Sequence, residues 1–171
     1  YQIIDNENKI SDLITELENA EYFAFDTETT GIDPISAELV GMSFALQENK
    51  AFYVPIPTER DKANQLVNKF KNALENTNSL KIGQNIKYDY IVLRNYGITV
   101  KGKFFDTMVA HYLLQPEQRH NMDYLAEVYL KYKTVHIEEL IGPKGKNQLS
   151  MRQVPIEKIS EYAAEDADIT L

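Results

Sequence analysis

Strand signals crowd the first half of this 171-residue chain, and helix signals fill the second. That order points to an α/β domain in which a central mixed sheet is flanked by helices. Five segments read as strands: Tyr1 to Ile4, Tyr22 to Glu28, Leu39 to Leu46, Ala51 to Ile56 and Leu80 to Gly83. Pro55 and Pro57 end the fourth, because proline has no amide hydrogen to give an inner ladder. Ile10, Leu13, Ile14 and Leu17 recur at helical spacing, and Ala63, Leu66, Val67, Phe70, Ala73 and Leu74 mark one amphipathic helix. A helix from about Ile86 to Asn95 follows, then helical patterns over Thr107 to Leu114, over Met122 to Leu130 and from Glu157 onward. Gly142 to Gln148 reads as a basic, polar loop.

No repeat, low-complexity tract or long Pro/Gly linker divides the chain, so residues 1–171 are expected to form one domain. A chain of this length buries roughly 70% of its unfolded surface and needs no cross-link to fold. The absence of cysteine excludes disulfides, thiolate zinc sites and cysteine nucleophiles together. The net charge of −8 argues against broad wrapping of a nucleic-acid duplex. It leaves room for an enzyme that grips a strand end through metal ions. No stretch approaches a membrane span in length, and a cytoplasmic, monomeric protein is expected. The chain opens on Tyr1 rather than Met and stops at Leu171 within a helical pattern, so it reads as a piece of a longer protein.

Three acidic clusters carry the chemistry. The apolar run Tyr22-Phe23-Ala24-Phe25 ends in Asp26-Thr27-Glu28, whose two acids share one face of a strand. Ending a buried strand this way costs desolvation and repulsion unless a cation neutralises the pair, and Mg²⁺ favours such oxygens. The second cluster is Asn85-Ile86-Lys87-Tyr88-Asp89, with Asn85 placed to cap a helix and Asp89 one turn along it. In the third, Tyr162 and Asp166 lie four apart on one helical face, beside Ala163 and Ala164, whose small side chains permit close packing. Glu165 and Asp168 point elsewhere and read as surface charges. Each spacing also recurs elsewhere, as in Asp5-Asn6-Glu7, so the weight falls on the ordered set. Four carboxylates can hold two divalent ions about 4 Å apart, which stabilise the attacking and leaving oxygens of a phosphodiester displacement.

With those motifs in hand, the sequence resembles the 3′–5′ proofreading exonuclease domain of the bacterial family A DNA polymerases. The wider group is the four-carboxylate exonucleases of ribonuclease-H-like (DnaQ-like) fold. The likeness runs over essentially the whole chain, through Phe25-Asp26-Thr27-Glu28-Thr29, Gly83 to Asp89, Phe105 to Met108, Arg119 to Glu127, Gly145 to Leu149 and Tyr162 to Asp168. The resemblance implies a five-stranded mixed sheet and two divalent cations, Mg²⁺ with Mn²⁺ or Zn²⁺ able to substitute. Asp26 would bridge both ions, Glu28 and Asp166 would complete the first site, Asp89 would serve the second, and Tyr162 would position the attacking water. Thr29, Ile32, Gln84, Asn85 and Tyr88 would meet the last nucleotides of a frayed DNA 3′ end. The implied partners are that single-stranded end and a covalently linked polymerase domain.

The superfamily's other branch carries histidine five residues before its last aspartate, where this chain has Glu161, so the resemblance is to the tyrosine branch. His111 and His136 read as helix-face or surface residues and His120 as loop. Val135-His136-Ile137 departs from the aromatic character of the family there. Lys144, Lys146 and Arg152 suit either phosphate contact or a solvated loop. Two alternatives share the motifs or the fold: an RNA exonuclease of ribonuclease D type, and a silent structural domain.

Overall fold

A computed structural model describes residues 1–171. Six strands form one sheet, β1 (Gln2–Ile3), β2 (Tyr22–Thr29), β3 (Leu39–Gln47), β4 (Lys50–Pro55), β5 (Leu80–Gly83) and β6 (Lys103–Asp106), in the order β1-β4-β3-β2-β5-β6. β2, β3 and β4 make an antiparallel meander; β1 joins β4, β5 joins β2 and β6 joins β5, all in parallel. The mixed α/β class is as expected, but the sheet has six strands where five were read. The additional one, Lys103-Phe104-Phe105-Asp106, is an edge strand whose two phenylalanines are exposed, so it carries no in-out alternation.

The two faces of the sheet differ in the size of their side chains. Phe23, Phe25, Phe44, Phe52 and Val54 pack with helices α1 (Glu7–Asn19), α2 (Arg60–Lys69), α3 (Lys71–Leu74) and α4 (Lys87–Arg94) into the main core. The expected continuous helix over Ala63 to Leu74 is split at Phe70. Its amide bonds Val67 O at 3.0 Å, tightening the turn, and its buried ring stacks on Phe44 with centroids 5.4 Å apart. The opposite face presents Ala24, Ala45 and Ala51 to Ala164 and Ala167 of the last helix, α8 (Ile156–Thr170). Alanine against alanine lets α8 lie close on β2, which sits at the centre of the sheet.

The remaining helices, α5 (Thr107–Leu114), α6 (Met122–Leu125) and α7 (Ile137–Ile141), follow β6, with a π-helical turn at Ala126–Leu130 and a 3₁₀ turn at Met151–Gln153. α7 is a short helix that ends just before the Gly142 to Gln148 loop and was not read from the sequence. Arg152 does not face a phosphate path. Its guanidinium donates to the carbonyls of Ile56, Leu39 and Pro57, tying the 3₁₀ turn to the ends of β3 and β4. Lys144 and Lys146 are exposed.

Candidate active site

Strand alternation decides where the first acids point. Asp26 and Glu28 continue the face of Ala24, so they rise beside α8, while Thr27 shares the parity of Phe23 and Phe25. On α8, the turn after Ile159 and Ala163 carries Tyr162 and Asp166 to the same edge. Carboxylate oxygens of Asp26, Glu28 and Asp166 all lie within 4.8 Å of one another. Gly41 faces Glu28 across the ladder, and a Cβ there would come within 2.2 Å of the Tyr53 ring. Glycine at this position therefore leaves room for the Tyr53 ring against the strand opposite Glu28.

Asp89 reaches the group by another route. β5 pairs with β2 only as far as Ala24 and Ile82, leaving the next stretch of β2 without a strand on that side. Asp89, from α4, takes over as acceptor: its Oδ1 receives the Thr27 amide at 3.0 Å and the Thr27 hydroxyl at 2.5 Å. The start of α4 is organised by Asp106 rather than by the Asn85 side chain. The Asp106 carboxylate accepts the amides of Asn85 at 3.2 Å, Ile86 at 2.9 Å and, on α5, Val109 at 3.1 Å. Asn85 itself takes a left-handed turn at φ 61°, which asparagine tolerates better than most residues.

Asp26, Glu28 and Asp166 share a cleft of about 490 Å³ with no Lys, Arg or His in its lining, whereas Asp89 is buried behind Thr27 and does not line it. At the effective permittivity of a partly buried site, two unit charges about 5 Å apart repel by about 3 kcal/mol. Three such pairs approach the whole folding stability of a domain, roughly 5–15 kcal/mol, so the site calls for protons or cations. Burial pushes Asp26 up to about 7. Burial and then the surrounding acids raise Glu28, Asp89 and Asp166 well above the usual carboxylate range. The Tyr162 hydroxyl is raised as well, by burial first and then by Asp166, Glu28 and Asp26, so it keeps its proton at neutral pH. Clustered hard oxygen donors with no internal counter-charge match what Mg²⁺ or Mn²⁺ prefers.

The 3′–5′ exonuclease family model matches residues 1–171. This chain belongs to the 3′–5′ exonuclease family. The curated relatives include DNA polymerase I of Pseudomonas aeruginosa, 41% identical over 100% of this chain, and that of Borreliella burgdorferi, 36% identical over 99%. The chain spans only 20% and 18% of the lengths of these relatives. Among solved structures, Brucella melitensis NrnC superposes with a TM-score of 0.72 at 22% identity, over 99% of this chain and 74% of that one. Trypanosoma brucei RNase D gives 0.75 at 17% identity, over 99% and 62%. These likenesses place the exonuclease domain in the ribonuclease-H-like fold expected from its motifs.

Of the nucleotide-facing residues expected in this exonuclease chain, Thr29, Ile32, Asn85 and Tyr88 line the acidic cleft. The Thr29 and Tyr88 hydroxyls meet at 2.6 Å and both reach the Gly31 carbonyl, while Ile32 is 97% exposed at the rim. Gln84 stands apart. Its amide donates to the His120 carbonyl at 2.6 Å and accepts from Thr107, and it lines a separate apolar cavity under α5. Of the opposite wall, Ile137 belongs to the segment where the resemblance implied a contact to the 3′ end, whereas Ile141, Leu149 and Met151 were not foreseen as part of the site. Apolar spacing on α7 is the signal that could have marked this wall. His111 lies on a helix as expected but is buried, 2.7 Å from His120 between their Nδ1 atoms. Glu165 and Asp168 are not free surface charges. Glu165 is buried, and Asp168 accepts from the Tyr1 hydroxyl and the Asn49 amide.

Proposed function

We propose that this domain is a metal-dependent exodeoxyribonuclease that removes 5′-mononucleotides from single-stranded or frayed DNA 3′ ends, as the proofreading part of a longer DNA polymerase. The observation that carries the reading is the convergence of Asp26, Glu28 and Asp166 within 4.8 Å, with no basic side chain in the cleft and Asp89 bound to Thr27 between the first two acids in sequence. DNA as substrate is favoured by the naming of the curated relatives as DNA polymerase I. Mg²⁺ is favoured by the donor set, and one NrnC structure of this fold is described with bound Mg²⁺.

Asp26, Glu28 and Asp166 would together hold one cation, and Asp26 would also serve a second. Asp89, whose Oδ1 is committed to Thr27, would serve the second. When bound, such ions lower the pKa of water and neutralise charge on the attacking and leaving oxygens. The protonated Tyr162 hydroxyl orients the attacking water against the terminal phosphorus. The water oxygen bonds phosphorus as the water gives up a proton to solvent, the P–O3′ bond breaks, and the departing O3′ takes a proton from solvent. Thr29, Asn85 and Tyr88 on one wall and Ile137, Ile141 and Leu149 on the other hold the terminal nucleotide. Exposed Ile32 is placed to wedge against its base, a contact that tolerates any sequence.

The decisive experiment is digestion of a 5′-labelled oligodeoxynucleotide with Mn²⁺ or Mg²⁺, by wild type and Asp26→Ala. We expect stepwise shortening from the 3′ end that EDTA abolishes, and loss of activity in the variant with an unchanged circular dichroism spectrum. Unchanged cleavage by Asp26→Ala would overturn the assignment. A matched RNA strand digested faster than DNA would move the substrate to RNA, and failure to bind Mn²⁺ at millimolar concentration would favour a silent domain.

A further inference from the structure

Glu165 is a buried carboxylate that the proposed chemistry does not use. It sits on α8 between Ala164 and Asp166, 4% exposed, where a small apolar residue would serve packing as well. Both of its oxygens are engaged by one distant segment. Oε1 accepts the Tyr132 hydroxyl at 2.6 Å and Oε2 accepts the Val135 amide at 2.9 Å. A second carboxylate holds the same segment from the other side: Asp123 accepts the Thr134 hydroxyl at 2.6 Å and lies 3.0 Å from His136 Nδ1. α7 begins at the next residue, and its Ile137 and Ile141 form the apolar wall of the cleft. Lys131, Tyr132 and Lys133 are exposed, so the segment is held by these bonds, by buried Thr134 and, beyond it, by Leu140 and Ile141 of α7 packed against Met151 and Ile159.

We infer that Glu165 is a positioning residue: it ties the α7 wall to the helix that carries Tyr162 and Asp166, setting the width of the cleft at the 3′ end. The inference rests on the exonuclease reading for its kinetic consequence, and on hydrogen bonds alone for its structural one. α8 stays seated on the sheet through Ile159, Ala163, Ala164 and Ala167, whatever happens at Glu165. Losing the tie therefore loosens the substrate wall and leaves the acids together. Two hydrogen bonds to a charged acceptor are at stake, enough for about a ten-fold or larger change in substrate affinity.

Glu165→Ala is expected to raise KM for a single-stranded oligodeoxynucleotide about ten-fold or more, with a smaller change in kcat. Glu165→Gln should return KM close to wild type, because its amide oxygen can accept from Val135 while its amide nitrogen donates to the Tyr132 oxygen. Hydrogen exchange followed by mass spectrometry supplies a readout free of catalysis. In Glu165→Ala, peptides covering residues 131–141 should exchange faster while those of residues 156–170 do not. Unaltered KM, a glutamine variant as impaired as the alanine one, or unaltered exchange in 131–141 would each overturn the proposal. An inactive wild type would instead sink the exonuclease reading, and the exchange experiment would still decide whether the tie exists.

Discussion

At the scale of the residue, the site is a set of acids held apart from any base. Tyr162 illustrates what that does to a neutral neighbour: burial first, and then the surrounding carboxylates, keep its proton in place, so it can orient a water but not abstract a proton from it. Tyr162→Phe should accordingly lower kcat about 100-fold, the cost of a misplaced nucleophile, while calorimetry still detects Mn²⁺ binding. A variant retaining full kcat would remove Tyr162 from the mechanism. Asp106 works at the same scale through backbone amides: one side chain starts both α4 and α5, and so sets where Asp89 and Tyr88 stand.

At the scale of the element, the close seat of α8 on the sheet is what brings Asp166 to Asp26. That seat is made of alanines, Ala24, Ala45 and Ala51 below and Ala164 and Ala167 above. Ala164→Leu overpacks it, at a cost of about 1–3 kcal/mol. Activity measured well below the melting transition should fall further than stability alone explains, because lifting the helix separates the acids. Urea unfolding alongside initial rates checks this, and full activity in a destabilised variant would refute it. Element boundaries in the sequence reading were least secure where packing overrode periodicity. β6 lies exposed at an edge without alternation, and Phe70 breaks a helix so that its ring can meet Phe44.

At the scale of the whole molecule, the acid cluster makes folding of the metal-free protein sensitive to pH. Asp26 titrates at about 7 when folded against an ordinary 3.8, and Glu28, Asp89 and Asp166 shift the same way. Between about pH 4 and 7 the folded state therefore holds more protons than the unfolded one, and stability falls as pH rises through that window. Glu75, held at about 2 by Lys101 and Lys71, acts in the opposite sense between about pH 2 and 4.5 and meets the window only at its lower edge. Denaturation of EDTA-treated protein should show lower stability at pH 8 than at pH 5, and millimolar Mn²⁺ should restore it at pH 8. Stability that rises with pH without metal, or ignores Mn²⁺, would contradict this account.

What could be read from the sequence was whatever depends on local period. A two-residue step put Asp26 and Glu28 on one strand face, and a four-residue step put Tyr162 and Asp166 on one helix face. The motif order, once assembled, carried the family and the fold class. What only the tertiary structure decided were the partnerships between distant segments: Thr27 with Asp89 across 62 positions, Asp106 with two helix starts, and Glu165 with Tyr132 and Val135. Gln84, read as facing the nucleotide, was turned toward His120 for the same reason. Periodicity fixes the face on which a side chain emerges; which segment meets that face follows from how the sheet and helices pack.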